Sequence, residues 1–199
     1  MEHANKDLMC LKYALKRGDP VPRFHYEMKT FNIVQCFTEL NDNDCELTIV
    51  RGINYSCSNP KDVDTYVRFE FPFPSENSPK DRTVTVKDTN NPEYNQTFML
   101  SINRKARSLA RVFKRYAVKC EVMAKGGFFH SDHCLGIAQV KLAPLESKCF
   151  VHDSFDLMDG RKANGGKLEV KIRIREPLLA RQVEQIKEKW VVIDQYVIK

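Results

Sequence analysis

The sequence predicts an all-β chain, an antiparallel sandwich with short helical additions. Three observations carry that expectation. Short segments alternate polar and apolar residues with period two, which turns one face of each toward a core. Clusters of Gly, Pro, Asn and Asp separate them, as the turns of a sandwich require. One cluster runs directly into a strand pattern, Asn91-Pro92-Glu93-Tyr94-Asn95-Gln96-Thr97-Phe98, and reads as a turn that launches it.

The elements follow in chain order. Asp7 to Arg17 reads as a short helix, with Leu8, Leu11 and Leu15 at helical spacing and Gly18-Asp19-Pro20 as its stop. From about Phe31 to Arg175 the pattern is that of strands. Glu46 to Ile53 alternates with Leu47, Ile49 and Ile53 inward, and Tyr66 to Phe71 alternates until Pro72 and Pro74 end it. Arg82 to Lys87, Gln96 to Ile102, Tyr116 to Met123 and Leu135 to Leu142 are further candidates, and Lys167 to Arg175 is the cleanest alternation in the chain. Asn164-Gly165-Gly166 reads as a hairpin turn. Two segments break the rhythm. Residues 104–115 form an amphipathic helix with Ala106, Leu109, Ala110 and Phe113 on one face. After Pro177, Leu179, Val183, Ile186 and Trp190 recur at helical steps and predict a C-terminal amphipathic helix. The expected organisation is a helical extension over 1–23, the sandwich over 24–176 and the terminal helix over 177–199.

Totals narrow the class. The chain has 199 residues, 42% of them hydrophobic and 29% charged, enough for a core and too balanced for wholesale disorder. The net charge of +6 permits an anionic partner, membrane or nucleic acid, without demanding one. No apolar run is long enough to span a bilayer, and the first residues lack the pattern of a secretory signal. Seven cysteines without regular spacing suit reduced thiols in the cytosol or nucleus.

Asn91 to Phe98 resembles the N-P-x-W-N-E-x-F motif of C2 domains. Asp64-Thr65-Tyr66-Val67 resembles the S-D-P-Y-V segment that opens a C2 strand, and Cys134-Leu135-Gly136 resembles the F-[ML]-G that follows the third loop. Three motifs in this order imply a C2-type eight-stranded antiparallel β-sandwich, with an inserted basic helix and short flanking N- and C-terminal helices. The basic helix and the flanking segments resemble more narrowly the lethal giant discs family, also called coiled-coil and C2 domain-containing protein 1. That resemblance implies an endosomal-sorting adaptor that regulates ESCRT-III assembly and Notch receptor trafficking. It implies contact with the ESCRT-III core subunit through regions outside this chain. It also implies a cytoplasmic location, peripheral to endosomal membranes, with a nuclear alternative.

Calcium-binding C2 domains hold the ion with about five Asp side chains, since a hard cation takes six to eight oxygens. The motif spacing puts the corresponding positions at Ser58, Asp64, Lys125, Gly127 and His133, of which only Asp64 is acidic. A one-residue slip replaces His133 by Asp132, which still leaves too few acids. The domain is therefore expected to be calcium-independent, with no metal or cofactor.

The basic helix is the stronger candidate. No acidic residue lies between Glu93 and Glu121, while Arg104, Lys105, Arg107, Arg111, Lys114, Arg115 and Lys119 are all cationic. Such a patch gains about 1 kcal/mol per basic residue near an anionic leaflet. The alternative is the solvated outer face of a helix packed through Leu109 and Phe113. A second basic row, Lys167, Lys171, Arg173 and Arg175, reads as the polar face of a half-buried strand. DNA-binding transcriptional repression is the runner-up, implied by the family resemblance, but no helix-turn-helix or zinc-finger spacing supports it. A domain that mainly stabilises and positions the longer protein is the third possibility.

Catalysis finds little footing. His130 to Cys134 and Cys149 to His152 hold zinc-type ligands, but an intervening strand places them more than about 20 Å apart. Cys134 and His133 are strand neighbours and point to opposite faces, so they make a poor nucleophile and base. No phosphate-binding glycine loop exists, and Trp190 reads as a docking anchor for its helix.

Overall fold

The computed structural model describes residues 2–19, 24–127, 130–179 and 183–193. The chain divides into two compact units, one from Met1–Ile33 and Val183–Lys199, the other from Val34–Gln182.

The first unit holds a helix, α1 (Glu2–Arg17), and a two-stranded ribbon of β1 (Phe24–Val34) and β10 (Val183–Ile193). α1 ends where Gly18 takes a positive φ of 74°, with the Gly18 and Asp19 amides donating to the Leu15 and Ala14 carbonyls. That is the usual C-terminal stop for which glycine is suited. β10 corrects the expected C-terminal helix. The spacing of Leu179, Val183, Ile186 and Trp190 fits a helix. However, Val191-Val192-Ile193 is a β-branched run, and β1 supplies the strand that pairs with it. The parts of that stretch at 180–182 and 194–199 lie outside the described residues. Trp190 accordingly anchors no helix. Its ring lies against Phe31 with centroids 5.5 Å apart, beneath Lys29 at 5.1 Å.

The second unit is the sandwich. Its strands are β2 (Asp44–Ile53), β3 (Thr65–Glu70), β4 (Lys80–Arg82), β5 (Glu93–Ser101), β6 (Ala117–Ala124), β7 (His133–Lys141), β8 (Phe150–Asp159) and β9 (Lys162–Ile174). They form one curled eight-stranded antiparallel sheet in the order β4-β3-β6-β7-β8-β9-β2-β5. The curl falls between β7 and β8, which share the single pair Ile137 and Met158. This splits the sheet into two four-stranded layers facing each other. Between them lie Cys45, Leu47 and Ile49 of β2, Leu168, Val170 and Ile172 of β9, and Val118, Cys120 and Val122 of β6, all fully buried. Burial pushes the Cys45 and Cys120 thiols up to about 12, so both are inert core residues.

Two further sequence expectations need adjustment, and one strand is new. The strand expected over Arg82 to Lys87 is only Lys80–Arg82. Beyond it Thr83 is buried, its Oγ1 accepting the Val67 amide at 3.0 Å, and contact resumes as one bridge from Val86 to Thr65. The hairpin turn before the last sandwich strand is Gly160-Arg161, since Asp159 pairs with Lys162. Asn164 to Gly166 instead form a bulge within β9, where Asn164 donates to the Leu135 carbonyl at 2.6 Å. Finally, β8 had no counterpart in the sequence reading.

Asn91 to Phe98 explains itself in this frame. The Asn91 side-chain oxygen accepts the Asn54 amide at 2.8 Å, and the Pro92 carbonyl accepts the Gly52 amide at 2.8 Å. The motif thereby fastens the end of β2. Asn95 has a φ of 45°, and with Tyr94 it lies opposite Val50 alone, a bulge that turns Tyr94 into the core. Tyr94 and Thr65 share a hydroxyl hydrogen bond of 2.7 Å, and Phe98 packs on Phe69 with centroids 4.8 Å apart.

Helix α2 (Arg107–Arg115) is inserted between β5 and β6. Leu109, Val112 and Phe113 are buried, with Phe113 edge-on to Phe71, and this fixes which face of the helix turns outward.

Candidate functional site

The strand register brings three of the five expected calcium positions, Asp64, Lys125 and His133, to one end of the sandwich. Thr65, next to Asp64, pairs with Ala124, and Ala124 pairs with His133. The carboxylates there are occupied by the protein itself. Asp64 accepts the Asp88 amide at 3.2 Å, and its backbone carbonyl accepts the Lys125 amide at 2.8 Å. Asp132 accepts the Gly126 amide at 2.9 Å through one oxygen and the Tyr66 hydroxyl at 2.8 Å through the other. These hydrogen bonds, the Gly126 one foremost, hold its carboxyl below the ordinary value. Ser58, Lys125, Gly127 and His133 are exposed and add no carboxylate. Among the described residues no three His, Cys, Asp or Glu side chains converge as a metal would need.

The basic residues lie elsewhere, and the fold divides them. Arg104 is half-buried, and its guanidinium donates to the carbonyls of Asp42, Glu176 and Pro177, which ties the helix entrance to the chain after β9. Lys105, Arg107 and Arg111 are exposed along the outer face of α2 and its approach. Lys114 and Arg115 end α2 and, with Lys119 of β6, line a groove of ≈ 920 Å³. Its other walls are Glu70, Pro72, Ser75 and Ser78 on one side, and Gln139, Lys141 and Ala143 on the other. Tyr116 lies on its surface, 58% exposed.

Lys141 was absent from the sequence reading. Ala117 pairs with Lys141 and Lys119 with Gln139, so the outward residues of β6 and β7 stand side by side. The alternation of β7 marks Gln139 and Lys141 as outward. What it lacks is the register that brings them beside α2.

The groove holds four cations, Lys114, Arg115, Lys119 and Lys141, against one lining carboxylate, Glu70, which is itself 3.4 Å from the Lys80 amine. A second hollow of ≈ 520 Å³ continues across β3 and β4, with Arg68, Lys80, Arg82 and Lys119 facing Glu70, Asp81 and Glu121. There the charges nearly balance. Glu121 accepts hydrogen bonds from Lys119, at 2.7 Å, and from Arg68, and together these hold its carboxyl below the ordinary value. The excess positive potential thus concentrates at the α2 end of the sheet. The other basic row is largely paired: Lys167 with Asp156, Arg173 with Glu46 and Glu39, and Arg175 with Asp42.

The remaining candidates stay apart. β7 separates His133 and Cys134 from Cys149, which is buried, and His152 meets Glu169 at 2.9 Å. The Cys134 thiol donates weakly to the Gly136 carbonyl at 3.5 Å. No helix among the described residues is long and apolar enough to cross a membrane.

Comparison with known proteins agrees with this architecture. Residues 43–157 match the C2 domain family. The chain is 53% identical over 189 residues to the coiled-coil and C2 domain-containing protein 1-like of Drosophila pseudoobscura pseudoobscura, covering 95% of this chain and 23% of that protein. It is 43% identical over 197 residues to human coiled-coil and C2 domain-containing protein 1A, covering 97% and 21%. The chain thus spans about a quarter of the length of these relatives or less. A solved structure of CC2D1B superposes with a TM-score of 0.73 at 47% identity, covering 96% of this chain and 79% of the other. CC2D1B is described there as coordinating ESCRT-III activity during the mitotic reformation of the nuclear envelope. With its fold, its motif residues and its relatives in agreement, the chain belongs to the C2 domain family, within the coiled-coil and C2 domain-containing protein 1 group.

Proposed function

We propose that this chain is a non-enzymatic, calcium-independent C2 module that docks on anionic phospholipid membrane through the groove at the α2 end of its sheet. The observation that carries the proposal is the convergence of Lys114, Arg115, Lys119 and Lys141 around one open hollow with a single lining carboxylate. Cations held on a rigid sheet and a packed helix present their charge without first being ordered, which favours attraction to a headgroup layer. Tyr116 adds an amphipathic ring at the same rim. Calcium independence is supported by the occupied carboxylates of Asp64 and Asp132 and by the cation at Lys125. In the longer protein the module would place an endosomal-sorting adaptor on its membrane, there to regulate ESCRT-III assembly and Notch receptor trafficking. That adaptor is cytoplasmic, and the nuclear-envelope role described for CC2D1B accords with a further site of action at that membrane.

The test is sedimentation with neutral and phosphatidylserine-containing liposomes, with calcium or with chelator. Binding should rise with the anionic fraction and be the same in both buffers. Binding that requires calcium would overturn the calcium-independent reading, and sequence-selective duplex DNA binding at physiological salt would put transcriptional repression in its place.

Glu121 gives a second expectation with the opposite sign. Glu121→Gln removes the carboxylate that Lys119 and Arg68 now contact. Anionic-liposome affinity should rise about fivefold, as expected for one unit of charge near the leaflet. Stability should fall at neutral pH, because a carboxyl with a depressed folded-state pKa stabilises the fold above its unfolded pKa. The difference between wild type and variant should shrink as the pH falls through that lowered value. Urea midpoints across an acid series would show it, and a gap that stays constant with pH would count against the ion pair.

A further inference from the structure

Two hydroxyl side chains in the sequence follow a cation at both the third and the first preceding position. They are Thr83, after Lys80 and Arg82, and Ser108, after Lys105 and Arg107. The structure separates them. Thr83 is 3% exposed, and its hydroxyl oxygen accepts the Val67 amide. Ser108 is exposed in the first turn of α2, and its hydroxyl has no hydrogen-bond partner among the described residues. Lys105 and Arg107 are exposed beside it, and Arg111 follows one turn later on the same face.

We infer that Ser108 is a phosphorylation site, for a protein kinase that selects basic residues on the N-terminal side of its target. Its modification then weakens docking on an anionic surface, a consequence that rests on the function proposed above. Access is favourable. The residues just before α2 are not helical, Ala106 at the helix entrance is extended, and no side chain caps the helix there. Opening the first turn therefore breaks no side-chain cap, and its cost is the withdrawal of Leu109 from the core. In the transfer, the Ser108 oxygen bonds to the γ-phosphorus of a nucleoside triphosphate as the β–γ bridging P–O bond breaks. The nucleoside diphosphate leaves, and the hydroxyl proton passes to the kinase's base.

The product suits its surroundings. The phosphate adds a charge of about −1.5 to −2 at neutral pH. α2 carries no acidic residue in its first turn, so Lys105, Arg107, Arg111 and the helix dipole all favour the new anion. The modification thus firms the start of the helix while cancelling roughly two of its positive charges. Ser108 stands outside the groove lining, so affinity for anionic vesicles should fall about tenfold, less than reversal of the groove cations would cause.

The folded chain is incubated with a purified kinase of basic specificity and ATP, and the phosphate is located by mass spectrometry. The expected outcome is phosphate on Ser108, absent in Ser108→Ala and independent of Thr83→Ala. Phosphatidylcholine–phosphatidylserine vesicles then compare modified and unmodified protein, and circular dichroism compares their helix content. Absence of phosphate at Ser108 overturns the site. Equal vesicle affinity of modified and unmodified protein overturns the regulatory consequence. An unmodified chain that ignores the vesicles overturns the docking function instead, while the mass spectrum still decides the site.

Discussion

Replacing Lys114, Arg115 and Lys141 together by Glu is expected to lower affinity for anionic liposomes by at least a hundredfold. Each cation near an anionic leaflet contributes about 1 kcal/mol, so losing three removes about 3 kcal/mol before the repulsion of the new carboxylates is counted. The three side chains are exposed and make no ion pair among the described residues, so the fold should survive their exchange. Unchanged far-UV circular dichroism would confirm this. The control is the same reversal at Lys105, Arg107 and Arg111, which lie outside the groove lining. A groove contact makes the first triplet the more damaging one. Equal losses would reduce the interaction to diffuse attraction set by net charge, which a Debye length of about 8 Å at physiological salt would largely screen. Retained binding by the groove triplet would remove the proposed site.

Gly52→Ala is expected to destabilise the sandwich strongly. A Cβ at that position would lie 2.2 Å from the Tyr55 ring, whose atoms are buried and hemmed in. The ring cannot swing away without opening the core, and the Gly52 backbone is fixed by its hydrogen bond to the Pro92 carbonyl and by pairing with Leu168. Overpacking of this severity costs about 3 kcal/mol or more. At about 2–4 °C per kcal/mol for a domain of this size, thermal unfolding should come about 6–12 °C earlier. Tyr55→Phe is the companion measurement. The Tyr55 hydroxyl is buried beside the Tyr94 hydroxyl, which is engaged with Thr65, and it makes no hydrogen bond of good geometry. Burial pushes the Tyr55 hydroxyl pKa well above its usual value. Its removal should be neutral or mildly stabilising. A melt of Gly52→Ala that matches wild type would show that Tyr55 has room to move.

Much of the sandwich was legible because its strands bury one face only. β9 alternates through to Ile174 and β2 as far as Ile49, with Leu47 and Ile49 answered by Ile172 and Val170 across the ladder; a bulge after Ile49 then buries Gly52 and leaves Ile53, expected inward, only half-buried. β8 was missed for the converse reason. Along Phe150–Asp159 only Leu157 is fully enclosed, so the alternation that marks a strand is weak. The β1–β10 ribbon was illegible for another reason. Its partners lie at opposite ends of the chain, and a helical spacing of apolar residues in β10 competed with the strand preference of its last residues. The candidate site shows the same limit. Charge along 104–119 was plain in the sequence, but two facts belong to tertiary register. Arg104 turns its guanidinium to three backbone carbonyls, and Lys141 arrives beside Arg115 from another strand.

The ribbon also decides what light can report. The chain has one tryptophan, Trp190, and it sits on β10 against Phe31 rather than among the buried residues of the sandwich. Intrinsic tryptophan emission therefore watches the clasp formed by the two outer strands, whose pairing closes a loop containing the entire sheet. The core signals through its tyrosines, Tyr55, Tyr66 and Tyr94, and through ellipticity. Two probes on one sample would thus register separate events: the clasp opening and the sheet melting. Coincidence of the two curves would mean that closing so long a loop depends on the compact body between its ends.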